Sequence, residues 1–182
     1  MRIITGTARG RKLETLEGME VRPTPDKIKE SLFNIIQFQI EGRVFLDMFA
    51  GSGQIGLEAL SRGADKAYFL DASKKSIAVI EKNVAACGFE DKARVINADS
   101  IVYVRNIHEE FDVIFLDPPY RTGLLEKALE AAAPKLTEGG ILLAEHPVDE
   151  QLPDSVAGLE KQKDYKYGKI ILTSYRHKTA TE

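Results

Sequence analysis

Leu46-Asp47-Met48-Phe49-Ala50-Gly51-Ser52-Gly53-Gln54-Ile55-Gly56 decides the fold. An apolar strand over residues 43–49 runs through an acid, Asp47, into a glycine turn, and a helix follows from about residue 53 to 62. Gly51, Gly53 and Gly56 spell Gly-x-Gly-x-x-Gly, the signature of a strand–turn–helix unit that admits a nucleotide-like ligand close to the backbone. Downstream the same unit repeats. Strands are predicted at 67–70, 93–96, 111–116 and 140–145, with helices at 73–86, 101–107 and 125–133 between them. Ile77, Ile80 and Val84 supply the buried stripe of the second helix. Alternating strands and helices imply an α/β protein with a doubly wound, mostly parallel, Rossmann-like sheet. Residues 159–167 and 170–175 break the alternation around Gly168-Lys169 and read as a terminal antiparallel hairpin.

Upstream, Ile3-Ile4-Thr5 and residues 12–16 flank Gly6-Thr7-Ala8-Arg9-Gly10, which reads as a short hairpin with a basic tip. Thr24-Pro25-Asp26 then opens a helix, with Thr24 as the cap, Pro25 at the first helical position and Asp26 at the positive dipole end. Ile28, Leu32, Ile35 and Ile36 give that helix one packing face.

The 182 residues are 43% hydrophobic, which suits one domain over 1–182. Residues 1–42 form its basic hairpin and helix, and 43–182 its core. One cysteine, Cys87, and three scattered histidines speak against a disulfide and against a metal site. The first residues carry no apolar signal region and no apolar run is long enough to span a bilayer, so a cytoplasmic protein without membrane contact is expected. The net charge of −3 is unevenly spread: residues 1–12 carry +4 and residues 161–182 carry +4, around a middle at −11. Arg9, Arg11 and Lys12, with no acid beside them, are candidates for gripping a polyanion; a solubilising charge pattern reads equally well.

Asp47 separates two ligand classes. A carboxylate at the strand end would repel a dinucleotide pyrophosphate, which counts against a nicotinamide-dependent oxidoreductase. It suits S-adenosylmethionine, whose ammonium and sulfonium are both positive. In that reading Gly51 and Gly53 give the cofactor access to the backbone, and Asp71, twenty residues past Gly51, accepts from the ribose hydroxyls. Asp99 and Ser100 follow the third strand, where they serve equally well as adenine contacts or as helix caps.

Asp117-Pro118-Pro119-Tyr120 closes the strand at 111–116. Ligands of such sheets bind beyond the carboxyl ends of the strands, so this turn faces the same crevice as the glycine loop. An amino nitrogen on an aromatic ring is a poor nucleophile, because its lone pair is delocalised. The Asp117 carboxylate and the Pro118 carbonyl can accept from its hydrogens and draw it toward tetrahedral geometry. Pro118 and Pro119 stiffen the turn, and Tyr120 can stack on a base removed from its helix. The chemistry implied is methyl transfer from S-adenosylmethionine to an amino or amide nitrogen.

At this point the chain resembles a known family. The run from Arg2 to Leu13, Arg22-Pro23-Thr24 with Lys29-Glu30-Ser31-Leu32-Phe33-Asn34, the glycine region through Gly63-Ala64, and Asp117-Pro118-Pro119-Tyr120 are similar to bacterial methyltransferases that modify guanine N2 in small-subunit (16S) ribosomal RNA. The resemblance covers nearly the whole chain and weakens after Pro147. It implies a seven-stranded class I methyltransferase sheet, S-adenosylmethionine as cofactor, a guanine-N2 product, and Arg22 and Thr24 near the cofactor mouth. Ribosomal RNA, naked or within a small-subunit assembly particle, is the partner implied, and nothing requires a dimer. DNA adenine-N6 and protein glutamine methyltransferases share the chemistry. A non-catalytic RNA-binding assembly module is the alternative outside enzymes, and the intact Asp117 motif opposes it. For Tyr165, Tyr167 and Tyr175 strand packing outweighs RNA stacking.

Overall fold

The computed structural model describes residues 1–16 and 24–179. Helix α1 (Asp26–Ile35) leads into strand β1 (Val44–Asp47), and from there strand and helix alternate. The order is α2 (Gln54–Ser61), β2 (Lys66–Asp71), α3 (Lys74–Cys87), β3 (Ala93–Asn97), α4 (Ser100–Asn106), β4 (Phe111–Leu116) and α5 (Leu124–Ala132). A 3-10 turn (Ala133–Lys135) enters β5 (Leu136–Pro147), and β6 (Ser155–Val156), β7 (Leu159–Tyr167) and β8 (Ile170–His177) complete the chain. The strands lie in the order β3-β2-β1-β4-β5-β8-β7-β6. The first five are parallel, and β8, β7 and β6 join antiparallel.

The expected doubly wound sheet is present with one correction. It has eight strands rather than seven, because the two-residue β6 pairs with the start of β7. Two residues are too few for any alternation to show in a sequence. β5 also begins four residues earlier than the predicted 140. Its opening Leu136-Thr137-Glu138-Gly139 has turn composition, and a register shift against β4 between Phe111 and Val113 accommodates it.

The start of α1 corrects a second expectation. Pro25 has ψ 145°, outside the helix, and its carbonyl accepts from Lys29 N at 3.0 Å, so Pro25 is itself the capping residue. Thr24 lies one position further out, and no side-chain cap is made. The N-terminal hairpin is looser than a pair of strands. Among the described residues it has one isolated bridge, Arg2 to Lys12, supported by Ile3 N donating to Arg11 O (3.0 Å) and Leu13 N to Met1 O (2.9 Å).

Strand alternation sorts the core into two layers. Phe45, Phe69, Phe115, Leu143 and Leu172 pack with Ile28 and Leu32 of α1, Ile55 of α2 and Ile80 of α3. Leu46, Leu70, Leu116, Leu142 and Tyr175 pack with Val104 of α4 and Leu125 and Leu129 of α5. Two residues beyond each of the first four, on the α1–α3 face at the carboxyl edge, stand Asp47, Asp71, Asp117 and Glu145. The fold thus gathers four acids on neighbouring strands at one edge of one face. Among the described residues no helix is long and apolar enough to cross a membrane, and no cluster of His, Cys, Asp or Glu could hold a metal ion.

Candidate active site

Asp47 ends β1 in the middle of the sheet, between β2 and β4, and is 1% exposed. Among the described residues neither of its carboxylate oxygens has a hydrogen bond of ordinary geometry, and the backbone amides of Gly56 and Phe49 are its weak partners. Burial pushes its pKa up to about 7, and the charge of Asp71 adds to the rise; the backbone amides of Gly56 and Phe49 offset part of it. A buried carboxylate with only weak partners is costly. At this place it is also an attractive field for a cation entering beside the glycine loop.

The loop is fixed by its own backbone. Ala50 N donates to Leu70 O (2.9 Å) and Gly53 N to Ala50 O (2.8 Å). Gly51 has φ +59°, and a Cβ built there meets nothing within 4 Å among the described residues, so open space lies over it. Gly56 has the opposite reason to be glycine: a Cβ would lie 2.4 Å from Phe69 Cε1, and its absence lets α2 press onto β2.

Asp71 is half-buried and already employed. Its Oδ2 accepts from Gly51 N and its Oδ1 from Ser73 N, both at 2.9 Å. It therefore ties the glycine loop to the start of α3, a role the sequence reading missed. Each oxygen keeps a second lone pair. Asn97, in register with Asp71, donates through Nδ2 to its carbonyl at 3.0 Å. Asp99 caps α4 by accepting from Val102 N at 3.0 Å, and Ser100 is buried at the first turn. Of the two capping candidates at this strand end, Asp99 makes the cap.

Across β1 lies the second motif. β4 and β5 are in register at Leu116 and Ala144, so the next residues, Asp117 and Glu145, stand side by side. Asp117 and Tyr120 are half-buried, Pro118 is buried and Pro119 exposed. The Tyr120 hydroxyl donates to Glu145 Oε1 at 3.1 Å, and Glu145 is 4% exposed. The turn is pinned behind Tyr120 as well. Thr122 Oγ1 donates to Pro119 O (2.8 Å), and Arg121 adopts φ 58°. The Arg121 backbone N donates to Glu150, in the loop after β5, and its guanidinium pairs with Asp149 at 2.9 Å. Glu145 was absent from the sequence-derived site. Its only sequence signal is an acid ending an apolar strand, as Asp47 and Asp117 also do.

The basic hairpin sits on α2, close to the glycine loop. Glu58 of α2, fully buried, accepts from Ile4 N (2.8 Å), Thr5 N (3.0 Å), Lys29 Nζ (3.1 Å) and Arg62 Nε (3.1 Å). Lys29, also fully buried, donates to Arg2 O at 3.0 Å. Ser61 Oγ donates to Thr5 O and accepts from Ala8 N, and Asn83 of α3 joins Glu14 to Ser52 O. Arg9, Arg11 and Lys12 are all exposed on this clamped element. Thr24 is half-buried at the foot of α1, and Arg22 lies outside the described residues.

Comparison with known proteins follows the same lines. Residues 1–176 match the family model "Conserved hypothetical protein 95". The chain is 32% identical over 184 residues to the ribosomal RNA small subunit methyltransferase D of Escherichia coli K12, covering 100% of this chain and 92% of that one. The solved structure of yhhF from Escherichia coli superposes with a TM-score of 0.87 at 33% identity, covering 97% of each chain. At 18% identity, where only fold is compared, the Thermus thermophilus 16S rRNA N2 G1207 methyltransferase RsmC, solved with AdoMet and guanosine, gives a TM-score of 0.70 over 89% of this chain and 45% of its own. The chain belongs to the conserved hypothetical protein 95 family, alongside the bacterial ribosomal RNA small subunit methyltransferases D, and has the class I methyltransferase fold.

Proposed function

We propose that this chain methylates the exocyclic N2 amine of a guanine in small-subunit ribosomal RNA, using S-adenosylmethionine. One observation carries the reading. A buried Asp47 without a hydrogen bond of ordinary geometry stands one strand away from the Asp117-Pro118-Pro119-Tyr120 turn, at the same edge of the sheet. The first suits a cationic cofactor and the second a planar amino group, and adjacent strands lie about 4.8 Å apart. The family relatives' ribosomal RNA substrate agrees with both.

The residues present fit the cofactor. Asp47 offers a carboxylate with no donor of ordinary geometry, Gly51 leaves open space over the loop, and Asp71 has spare acceptor capacity. When bound, S-adenosylmethionine supplies an electrophilic methyl on a sulfonium. The protein's part is positioning. Asp117 and the Pro118 carbonyl accept from the amino hydrogens of the target base, which draws its lone pair out of conjugation toward the methyl. Tyr120 supplies a stacking face for the flipped base, and its bond to Glu145 fixes the ring. Arg9, Arg11 and Lys12 hold RNA phosphates on the clamped hairpin.

The test is transfer of a labelled methyl group to small-subunit RNA, DNA and protein, followed by nucleoside analysis. N2-methylguanosine in RNA is the expected product. Asp117→Ala should largely abolish transfer while cofactor affinity stays near wild type. Wild-type activity in that variant removes Asp117 from the chemistry, and functional binding of a nicotinamide cofactor overturns the class.

A further inference from the structure

The hairpin β7–β8 carries no residue given a role above, yet its turn comes back to the working edge. β8 runs antiparallel to β5, with Glu145 opposite Leu172 and Pro147 opposite Ile170, and Val148 N donates to Lys169 O at 3.0 Å. β7 extends the same rows: Tyr165 pairs with Leu172 and Tyr167 with Ile170. Tyr165 therefore stands level with Glu145, about 10 Å away across two strand spacings. Tyr165 and Tyr167 are half-buried, pack on the α1–α3 face, and so share a face with Asp47, Asp117 and Glu145.

Lysines accompany these rings. Lys163 Nζ lies 4.7 Å from the centre of the Tyr165 ring, and Lys163, Lys166 and Lys169 are all exposed. The acids nearby are engaged elsewhere. Asp149 pairs with Arg121, while Asp154 and Asp164 pair with Lys161. Among the described residues Lys163, Lys166 and Lys169 make no ion pair. Rings flanked by such cations, as Tyr165 and Tyr167 are by Lys163 and Lys169, are what a single strand of nucleic acid binds: bases stack on the rings and phosphates meet the lysines.

We propose that Lys163, Tyr165, Tyr167 and Lys169 form a second RNA contact. It receives the single-stranded nucleotides that flank the target base and leads them into the Tyr120–Glu145 side of the crevice. This rests on the ribosomal RNA reading above and extends it. The clamped hairpin would grip the RNA from the α2 side while this ribbon holds it from the β5 side. The Asp117 turn lies between them.

The experiment measures binding to protein-free small-subunit RNA against salt, for wild type, Lys163→Ala/Lys169→Ala and Tyr167→Leu. Leu keeps the apolar packing of Tyr167 and removes its stacking surface. The lysine pair should lose about tenfold in affinity at low salt, with the salt slope lower by about 2. Tyr167→Leu should lose about fivefold or more with an unchanged slope. Cofactor affinity and thermal midpoint, measured in parallel, should match wild type for the lysine pair. Wild-type affinity and slope in both variants overturn the proposal. So does loss confined to a protein-containing small-subunit particle with naked RNA binding intact, which would mark the ribbon as a protein contact. Methyl transfer by the wild type to the same RNA is scored separately. Its absence from both this RNA and a protein-containing small-subunit particle sinks the catalytic reading, while the binding comparison still decides the ribbon.

Discussion

Two carboxylates are buried on either side of the glycine loop, and their surroundings could hardly differ more. Glu58, in α2, is fully buried and receives four donors: two backbone amides of the N-terminal hairpin, Lys29 and Arg62. Asp47, at the end of β1, is as deeply buried and receives none of normal geometry among the described residues. A saturated buried charge is a fastener: it fixes the hairpin to the sheet and has no capacity left for a ligand. An unsaturated one costs folding free energy, and in the proposed function a cation beside the glycine loop would offset that cost. Burial alone therefore does not distinguish the two acids; their hydrogen-bond partners do.

The largest effect expected is at the fastener. Glu58→Ala leaves Lys29 charged and buried with only the Arg2 carbonyl, so unfolding in denaturant should show a loss of about 3–5 kcal/mol. A loss under about 1 kcal/mol, the worth of an exposed pair, would break the contrast. Asp47→Asn should do the reverse. The apo protein at pH 8 should be no less stable than wild type, because a costly charge is gone, while cofactor affinity drops about tenfold or more, the range for hydrogen bonds to charged groups. Calorimetry on the folded variant checks it, and unchanged affinity would take Asp47 out of the cofactor site.

The pH dependence sharpens the same point. The folded-state pKa of Asp47 is raised from 3.8 to about 7, so its contribution to stability is fully present below about 4 and is lost as pH rises through about 7. Apo wild type should lose stability across that window relative to Asp47→Asn, as read from thermal midpoints at each pH. Binding a cation beside Asp47 favours its ionised form. Cofactor affinity should accordingly climb as pH rises toward 7 and then level, with proton release visible as a buffer-dependent binding heat. A flat profile would mean that Asp47 does not meet the cofactor's charge.

The smallest effects belong to the Tyr120–Glu145 pair. Tyr120→Phe keeps the ring and loses one hydrogen bond, so RNA-dependent turnover should fall by a few-fold, about 0.5–1.5 kcal/mol. Glu145→Gln retains an acceptor and should cost less. Combined with Tyr120→Phe, the Glu145 substitution should add nothing further. Additive losses would show that Glu145 acts elsewhere than through the tyrosine.

Much of this is legible before any coordinates. Phe111–Leu116 is bounded to the residue, because its Val113–Leu116 stretch is buried on both faces as an unbroken apolar run that stops at Asp117. The glycine loop announces itself by residues that no other local structure requires. What stays hidden depends on register. Tyr120 and Glu145 are 25 residues apart, and only the pairing of Leu116 with Ala144 brings them together. Glu58 looks like any acid on a helix, since nothing local says that a hairpin more than fifty residues upstream lies over it. Thr24 misleads for a simpler reason. Both Thr24 and Pro25 suit a helix start, and the backbone at Pro25, not side-chain preference, decides where the first turn begins.

The antiparallel insertion of β8 has an evolutionary consequence. A parallel strand at that place would send its connection to the far edge of the sheet, away from the crevice. Running backward, β8 delivers the two-residue link Gly168-Lys169 to the working edge, outside the register that aligns Asp47, Asp117 and Glu145. If that link meets RNA as proposed, substitutions or insertions there would change what is touched without moving the aligned acids, so target choice and catalysis could diverge independently in one small scaffold.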